Sequence, residues 1–141
     1  MEKYKRLEDR LVEYWNSLTD GDTLPHESEI DNTKIADIWD NCFLALITEN
    51  RGYKYEYLGE NLIEAYGEDA ASGIEGLIST ASHRTVEKFD EAMSRKEPVK
   101  DNGEFTNSNQ MLIKYRQILL PFVNEEEKVT YILGGMKWKS F

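Results

Sequence analysis

The chain has 141 residues and a mass of 16.4 kDa, which fits one domain of ordinary size and leaves no room for a second catalytic module. It carries 17 basic and 27 acidic residues, and the net charge of −10 disfavours binding to nucleic acid or to an anionic membrane surface. Hydrophobic residues make up 40% of the chain, which is too many for a disordered acidic protein, so we expect a folded domain.

The start of the chain and its cysteine content indicate the compartment. No apolar run approaches the roughly 20 residues that a membrane-spanning helix needs, and the charged start has no signal-peptide core. Cys42 is the single cysteine, so no internal disulfide can form, which agrees with a reducing compartment. The expected location is the cytoplasm.

The first eighteen residues predict an amphipathic helix. Its apolar side chains recur in steps of three and four, at Tyr4, Leu7, Leu11, Tyr14 and Leu18. This N-terminal stripe needs a cover, which is either the domain's own sheet or a second copy in a homodimer. The five residues are therefore the candidate interface.

A short helix capped by Asp31 should precede a β-hairpin. Cys42 to Thr48 is a short apolar run, and Tyr53 to Leu58 alternates strictly between polar and apolar side chains. Because side chains alternate along a strand, we expect Tyr53, Tyr55 and Tyr57 to share one face.

The rest of the chain predicts helices followed by strands. The helical segments are Glu60 to Tyr66, about Ala70 to Ile78, and a longer one from Thr80 with Val86, Phe89 and Met93 on one face. The strands are Val99 to Phe105, Met111 to Phe122 and Val129 to Trp138. This order predicts an α+β fold with helices inserted in the middle of an antiparallel sheet.

Local motifs accompany this order of elements. They are Tyr14-Trp15-Asn16-Ser17-Leu18 with Leu24-Pro25 and Glu29-Ile30-Asp31, then Tyr55-Glu56-Tyr57-Leu58-Gly59, then Ile118-Leu119-Leu120-Pro121-Phe122 and Tyr131-Ile132-Leu133-Gly134. In order and spacing they resemble a PAS-like family common in alphaproteobacteria, from about Leu11 to Gly135. Glu56 stands where that family carries an arginine.

The resemblance implies a PAS-like α+β fold, with a five-stranded antiparallel sheet and helices between its second and third strands. Residues 1–40 would form the N-terminal helix and lead-in segment, and residues 41–141 the sheet and helical wall of one structural domain. It also implies a stand-alone sensory or interaction domain, not an enzyme, that couples a small ligand or a protein partner to a bacterial signalling or regulatory pathway. Candidate cavity residues are Tyr57, Tyr66, Phe89, Tyr115 and Met136, which alternatively only fill the core.

Two other functions stay open on the sequence. A haem- or flavin-binding redox or gas sensor of the same fold would take His83, at the start of the long helix, as the haem ligand. A small α+β-barrel enzyme would require a curved sheet after one long helix. Cys42 is interpreted as a buried small hydrophobe, and no metal-ligand spacing is present. The acidic charge predicts a protein partner that presents a basic face or meets an apolar stripe.

Overall fold

The computed structural model describes residues 6–19, 23–47, 53–67, 83–107 and 109–141, without the side chains of Tyr53 and of residues 83–86. The helices are α1 (Leu7–Leu18), two 3₁₀ helices (Glu27–Glu29 and Asn32–Asn41), α2 (Glu60–Tyr66) and α3 (His83–Arg95). The strands are β1 (Cys42–Ile47), β2 (Tyr53–Leu58), β3 (Val99–Thr106), β4 (Leu112–Val123) and β5 (Val129–Ser140). The helix predicted near Ala70 to Ile78 and the side chain of Tyr4 lie outside the described residues.

The five strands form one antiparallel sheet in the order β2-β1-β5-β4-β3. The predicted fold class is confirmed, because two strands precede α2 and α3 and three strands follow them. This topology differs from the one long helix followed by a curved sheet that the barrel enzyme would require. The chain pairs β1 with β5, so the first and last strands are neighbours at the centre.

Helices cover both faces of this sheet. The inner face is the one that packs against α2 and α3, and its buried core includes Phe43, Leu62 and Phe89. The outer face packs against α1 and the longer 3₁₀ helix, whose capping residue Asp31 accepts a hydrogen bond from the Thr33 amide at 3.1 Å. Burying both faces gives a two-sided hydrophobic core.

The adjacent residues Gly134 and Gly135 of β5 allow both covers to approach closely. A Cβ on Gly134 would lie 2.1 Å from the Phe43 ring on the inner face. A Cβ on Gly135 would lie 2.3 Å from the Leu11 Cδ1 atom on the outer face. The glycine pair is therefore a packing requirement of the sheet.

A β-bulge in β2 corrects the prediction that Tyr55 and Tyr57 share a face. Ala45 of β1 pairs with Tyr55 while the preceding Leu44 pairs with Tyr57, so Glu56 is an extra residue without a partner. This insertion changes the alternation, because side chains reverse face at each residue. Tyr55 consequently lies in the inner core and Tyr57 packs on the outer face.

Candidate functional site

Four of the five predicted cavity residues meet on the inner face. Phe89 and Met136 are each 2% exposed and Tyr115 is 7% exposed, and Tyr66 packs against the same cluster. They come from four elements, α3, β5, β4 and α2, so the fold rather than the local sequence brings them together. We refer to this set and the residues that contact it as the inner-face cluster.

Tyr57, the fifth predicted cavity residue, is not part of the inner-face cluster. Its ring stacks on Trp39 with a centroid distance of 4.3 Å and an interplanar angle of 9°. Its hydroxyl donates a hydrogen bond to the Trp39 carbonyl oxygen at 2.9 Å. The bulge at Glu56 is the reason that this tyrosine faces the opposite side of the sheet.

A buried polar network belongs to the inner-face cluster, and sequence reasoning missed it. Asp101 of β3 is 6% exposed, and its Oδ2 atom accepts hydrogen bonds from Gln117 Nε2 at 2.9 Å and from the Tyr115 hydroxyl at 3.3 Å. Asp101 and Gln117 are direct partners across β3 and β4. Gly103 makes room for the ring, because a Cβ there would lie 2.8 Å from the Tyr115 hydroxyl oxygen.

Two further phenols extend the polar groups of the inner-face cluster. Tyr55 is 3% exposed in the inner core, and Tyr66 is partly buried against the same core. Burial raises the pKa of Tyr66 to about 12 and raises the pKa of Tyr55 well above its ordinary value. Both phenols therefore stay protonated and can donate a hydrogen bond at neutral pH.

Asn107 fixes the position of Tyr66. The Asn107 side-chain amide donates to the Ala65 carbonyl oxygen at 3.0 Å, and its Oδ1 atom accepts from the Met111 amide at 3.0 Å. These bonds tie the end of α2 to the turn between β3 and β4. The Tyr66 ring then stacks on Phe105 with a centroid distance of 5.2 Å.

The polar network borders a groove at the protein surface. This groove has a volume of about 320 Å³, and Asp101 contributes to its lining together with Lys88 of α3, Lys100 and Asn102 of β3, and Arg116 of β4. A buried carboxylate that lines an open groove can accept a hydrogen bond from a small molecule there. In the sequence, Asp101 could have been recognised as an acidic residue at a position of β3 whose side chain faces the core.

The predicted interface residues lie against the chain's own sheet. Leu7 is 4% exposed, Leu11 is fully buried and Tyr14 is 9% exposed, and all three pack in the outer-face core, with Leu18 partly buried beside them. The Arg10 guanidinium forms an ion pair with Asp37 that joins α1 to the longer 3₁₀ helix. The sequence left two covers open for the N-terminal stripe, the domain's own sheet and a second copy. For the residues of the stripe that are described, the structure shows the sheet.

The two residues with cofactor chemistry, Cys42 and His83, stand on β1 and at the start of α3. Cys42 is fully buried on the outer face, its thiol donates to the Ile38 carbonyl oxygen at 3.3 Å, and burial raises its pKa to about 12. A cysteine there does not fit a flavin bound at the inner-face cluster, because the sheet separates them. His83 begins α3, but its side chain lies outside the described part of the chain.

Within the described ranges, no three or more His, Cys, Asp and Glu side chains come together in a way that could hold a metal ion. None of the helices in those ranges combines the length and the apolar character needed to cross a membrane.

The five-stranded order and the helical wall over one face define the class of PAS and LOV domains. The family model described as "PAS domain" matches residues 4–137, so the chain belongs to the PAS domain family. Known structures share this fold. The PAS domain of the fruit-fly ELK potassium channel is 16% identical with a TM-score of 0.52, and the alignment covers 77% of this chain and 97% of that chain.

Two other similar structures come from microorganisms. The light-state dimer of the fungal blue-light photoreceptor Vivid is 14% identical with a TM-score of 0.52, and 96% of this chain and 95% of that chain are covered. A PAS domain from Colwellia psychrerythraea is 8% identical with a TM-score of 0.52, covering 74% and 93%. No curated protein sequence matches this chain. At these identities the likeness shows the fold alone.

Proposed function

We propose that the protein is a non-enzymatic sensory or interaction domain of a bacterial signalling or regulatory pathway. In this proposal a small molecule at the inner-face cluster changes the affinity of the domain for a protein partner. The observation that carries the proposal is the buried network of Asp101, Tyr115 and Gln117 in an otherwise apolar core.

Burying the Asp101 carboxylate costs free energy. An ionised group removed from water is unfavourable unless hydrogen bonds compensate it, and an apolar side chain would fill the same space without that cost. Asp101 is therefore best explained by an interaction that an apolar residue cannot make. A carboxylate only accepts hydrogen bonds, so the ligand should offer an N–H or O–H donor beside an apolar or aromatic body.

The output surface in this proposal involves α1. The N-terminal stripe is buried on the outer face of the sheet whose inner face would hold the ligand, so changes in the strands reach both covers. A homodimer through Leu7, Leu11 and Tyr14 requires α1 to leave the sheet first. We propose that form as a second state of the domain.

Native mass spectrometry of protein purified from its own host tests the ligand. We expect a bound small molecule that is lost in Asp101→Asn and weakened in Tyr115→Phe. Tyr57→Phe is the matched control, because it removes a phenol hydrogen bond on the opposite face. Equal occupancy in all three variants would contradict the proposal. Visible absorbance of the same sample tests the haem or flavin alternative. A colourless protein that takes up neither group would contradict that alternative.

A further inference from the structure

A cationic groove lies at one end of the outer face, where α1 does not cover the sheet. Its side chains are Lys114 and Arg116 of β4 and Lys137 and Lys139 of β5, and all four are exposed. The groove has a volume of about 540 Å³, and its lining also includes Tyr115, Trp138 and Phe141. The net charge of the chain did not reveal this local concentration of positive charge.

The four cations are arranged in like-charged pairs. Lys114 lies directly opposite Lys139, and Arg116 lies directly opposite Lys137, across neighbouring positions of β4 and β5. Like charges directly opposite each other destabilise an antiparallel pair of strands. The chain has 27 acidic residues, yet across the pairing of β4 with β5 none of them stands opposite these cations to form an attractive pair.

The four groove cations make no ion pair within the part of the chain that the structure describes. Other cations do: Arg10 pairs with Asp37, and Arg95 pairs with Glu91 and Glu97. Glu104 of β3 is opposite Lys114, yet no ion pair joins them. Among the described residues, the groove therefore carries positive charge that no ion pair compensates.

The position of α1 explains why this part of the sheet is open. Leu7, the first residue of α1, packs over Gly135, and Lys137 is the next outer-face residue along β5. On the far side stands Phe141, which is 69% exposed and whose ring centroid is 4.9 Å from Lys114 Nζ. An exposed aromatic ring beside four cations suits a ligand that is anionic with some apolar surface.

We propose that this groove binds an acidic segment of a partner protein. Several carboxylates in a short extended segment would neutralise both like-charged pairs, and an apolar side chain between them would contact Phe141. This proposal rests on the proposed function in one respect, that a protein partner exists. It also differs from the expectation drawn from net charge, which was a partner that presents a basic face or meets an apolar stripe.

Two other occupants fit the groove less well. A nucleic acid extends far beyond four cations, and its phosphates would meet the field of a protein of net charge −10. A second copy could offer its acidic turn Glu125–Glu127, but that turn lies at the opposite end of the β4–β5 hairpin. Such a contact closes into a dimer only when the two hairpins lie antiparallel, and the net charge of −10 on each copy opposes that association.

Fluorescence anisotropy with a fluorescein-labelled peptide of alternating Glu and Leu tests the proposal on the full chain. We expect saturable binding that weakens at least roughly tenfold in Arg116→Gln/Lys137→Gln. Lys34→Gln/Lys54→Gln removes the same charge at exposed positions outside the groove and should bind within about twofold of the parent. Circular dichroism confirms that each variant is folded.

Several outcomes would overturn the assignment. These are no binding at millimolar peptide, equal binding by the two double variants, or tighter binding of a ten-nucleotide single-stranded DNA than of the peptide. Self-association in sedimentation that disappears in the groove variant would assign the groove to a second copy instead. Anisotropy with protein dialysed free of small molecules separates this test from the ligand proposal. Peptide binding by that sample supports the groove even if native mass spectrometry finds no ligand.

Discussion

Two buried groups of the outer face and the Asp101 network of the inner face bond to different kinds of partner. On the outer face Trp15 Nε1 donates to the Pro121 carbonyl oxygen at 2.9 Å, and Tyr57 donates likewise to the Trp39 carbonyl oxygen. On the inner face Tyr115 and Gln117 bond to the side chain of Asp101. Backbone acceptors are fixed by the fold, whereas a side-chain partner can turn toward a ligand. This difference fits the proposal that the Asp101 network meets a ligand.

Breaking the outer cover should have the largest effect on stability. Leu11→Glu places a charge at a fully buried position against Gly135, and we expect the free energy of unfolding to fall by roughly 4 kcal/mol or more. Urea denaturation followed by circular dichroism measures the loss. Asn16→Glu, at an exposed position of the same helix, is the control and should change stability little.

A double variant of the same helix tests the homodimer. Light scattering of the parent and of Leu7→Glu/Leu11→Glu compares their masses in solution. A dimer that persists unchanged in the double variant would rule out the N-terminal stripe as its interface. If Leu11→Glu were as stable as Asn16→Glu, α1 would not be the cover that the structure shows.

Alanine substitutions at the adjacent glycines of β5 compare the rigidity of the two covers. Gly134→Ala pushes a Cβ into the Phe43 ring, which is held by Tyr55 and Phe89 at centroid distances of 5.4 and 5.9 Å. We expect a loss of up to about 3 kcal/mol. Gly135→Ala meets the flexible end of Leu11 and should cost less. Urea denaturation of both variants decides, and an equal or reversed order would contradict the prediction.

High pH should weaken the inner face through its buried phenols. Because burial raises the folded-state pKa of Tyr66 to about 12, the proton is held more tightly in the folded chain than in the unfolded one. Its contribution is fully present below about pH 10, the ordinary tyrosine value, and is lost as pH rises toward about 12, by an amount on the order of 2 kcal/mol. Urea denaturation at pH 8 and pH 11 measures the decline, which should be smaller in Tyr66→Phe. A decline that is the same in that variant would assign it to other groups.

Strand alternation and helix periodicity are local signals, so the sequence predicted the strands and helices and their order along the chain well. Residues 53–58 and 60–66 form their predicted strand and helix with the predicted bounds. The site was harder to predict, because it depends on which face each strand presents. One extra residue, Glu56, exchanged the faces of Tyr55 and Tyr57, and no periodicity within β2 shows the bulge.

Asp101 and the cationic groove were missed for a related reason. Each depends on register between strands: Asp101 opposite Gln117, and Arg116 opposite Lys137. Cross-strand partners are set by turns and core packing far from the residues themselves. Net charge averages over the whole chain, so it does not show the positive surface that the exposed parts of β4 and β5 present.

The smallest expected effect concerns the like-charged pairs, and its direction is informative. Lys137→Glu converts the pair with Arg116 into opposite charges, so the free energy of unfolding should rise by about 0.5 kcal/mol, and less in high salt. Lys54→Glu at an exposed position of β2 is the control for the change in net charge. The same Lys137→Glu variant should bind the acidic peptide more weakly. Higher stability together with weaker binding would show that the repulsion is retained for a partner, whereas an unchanged or lower stability would show that the opposed cations do not repel measurably.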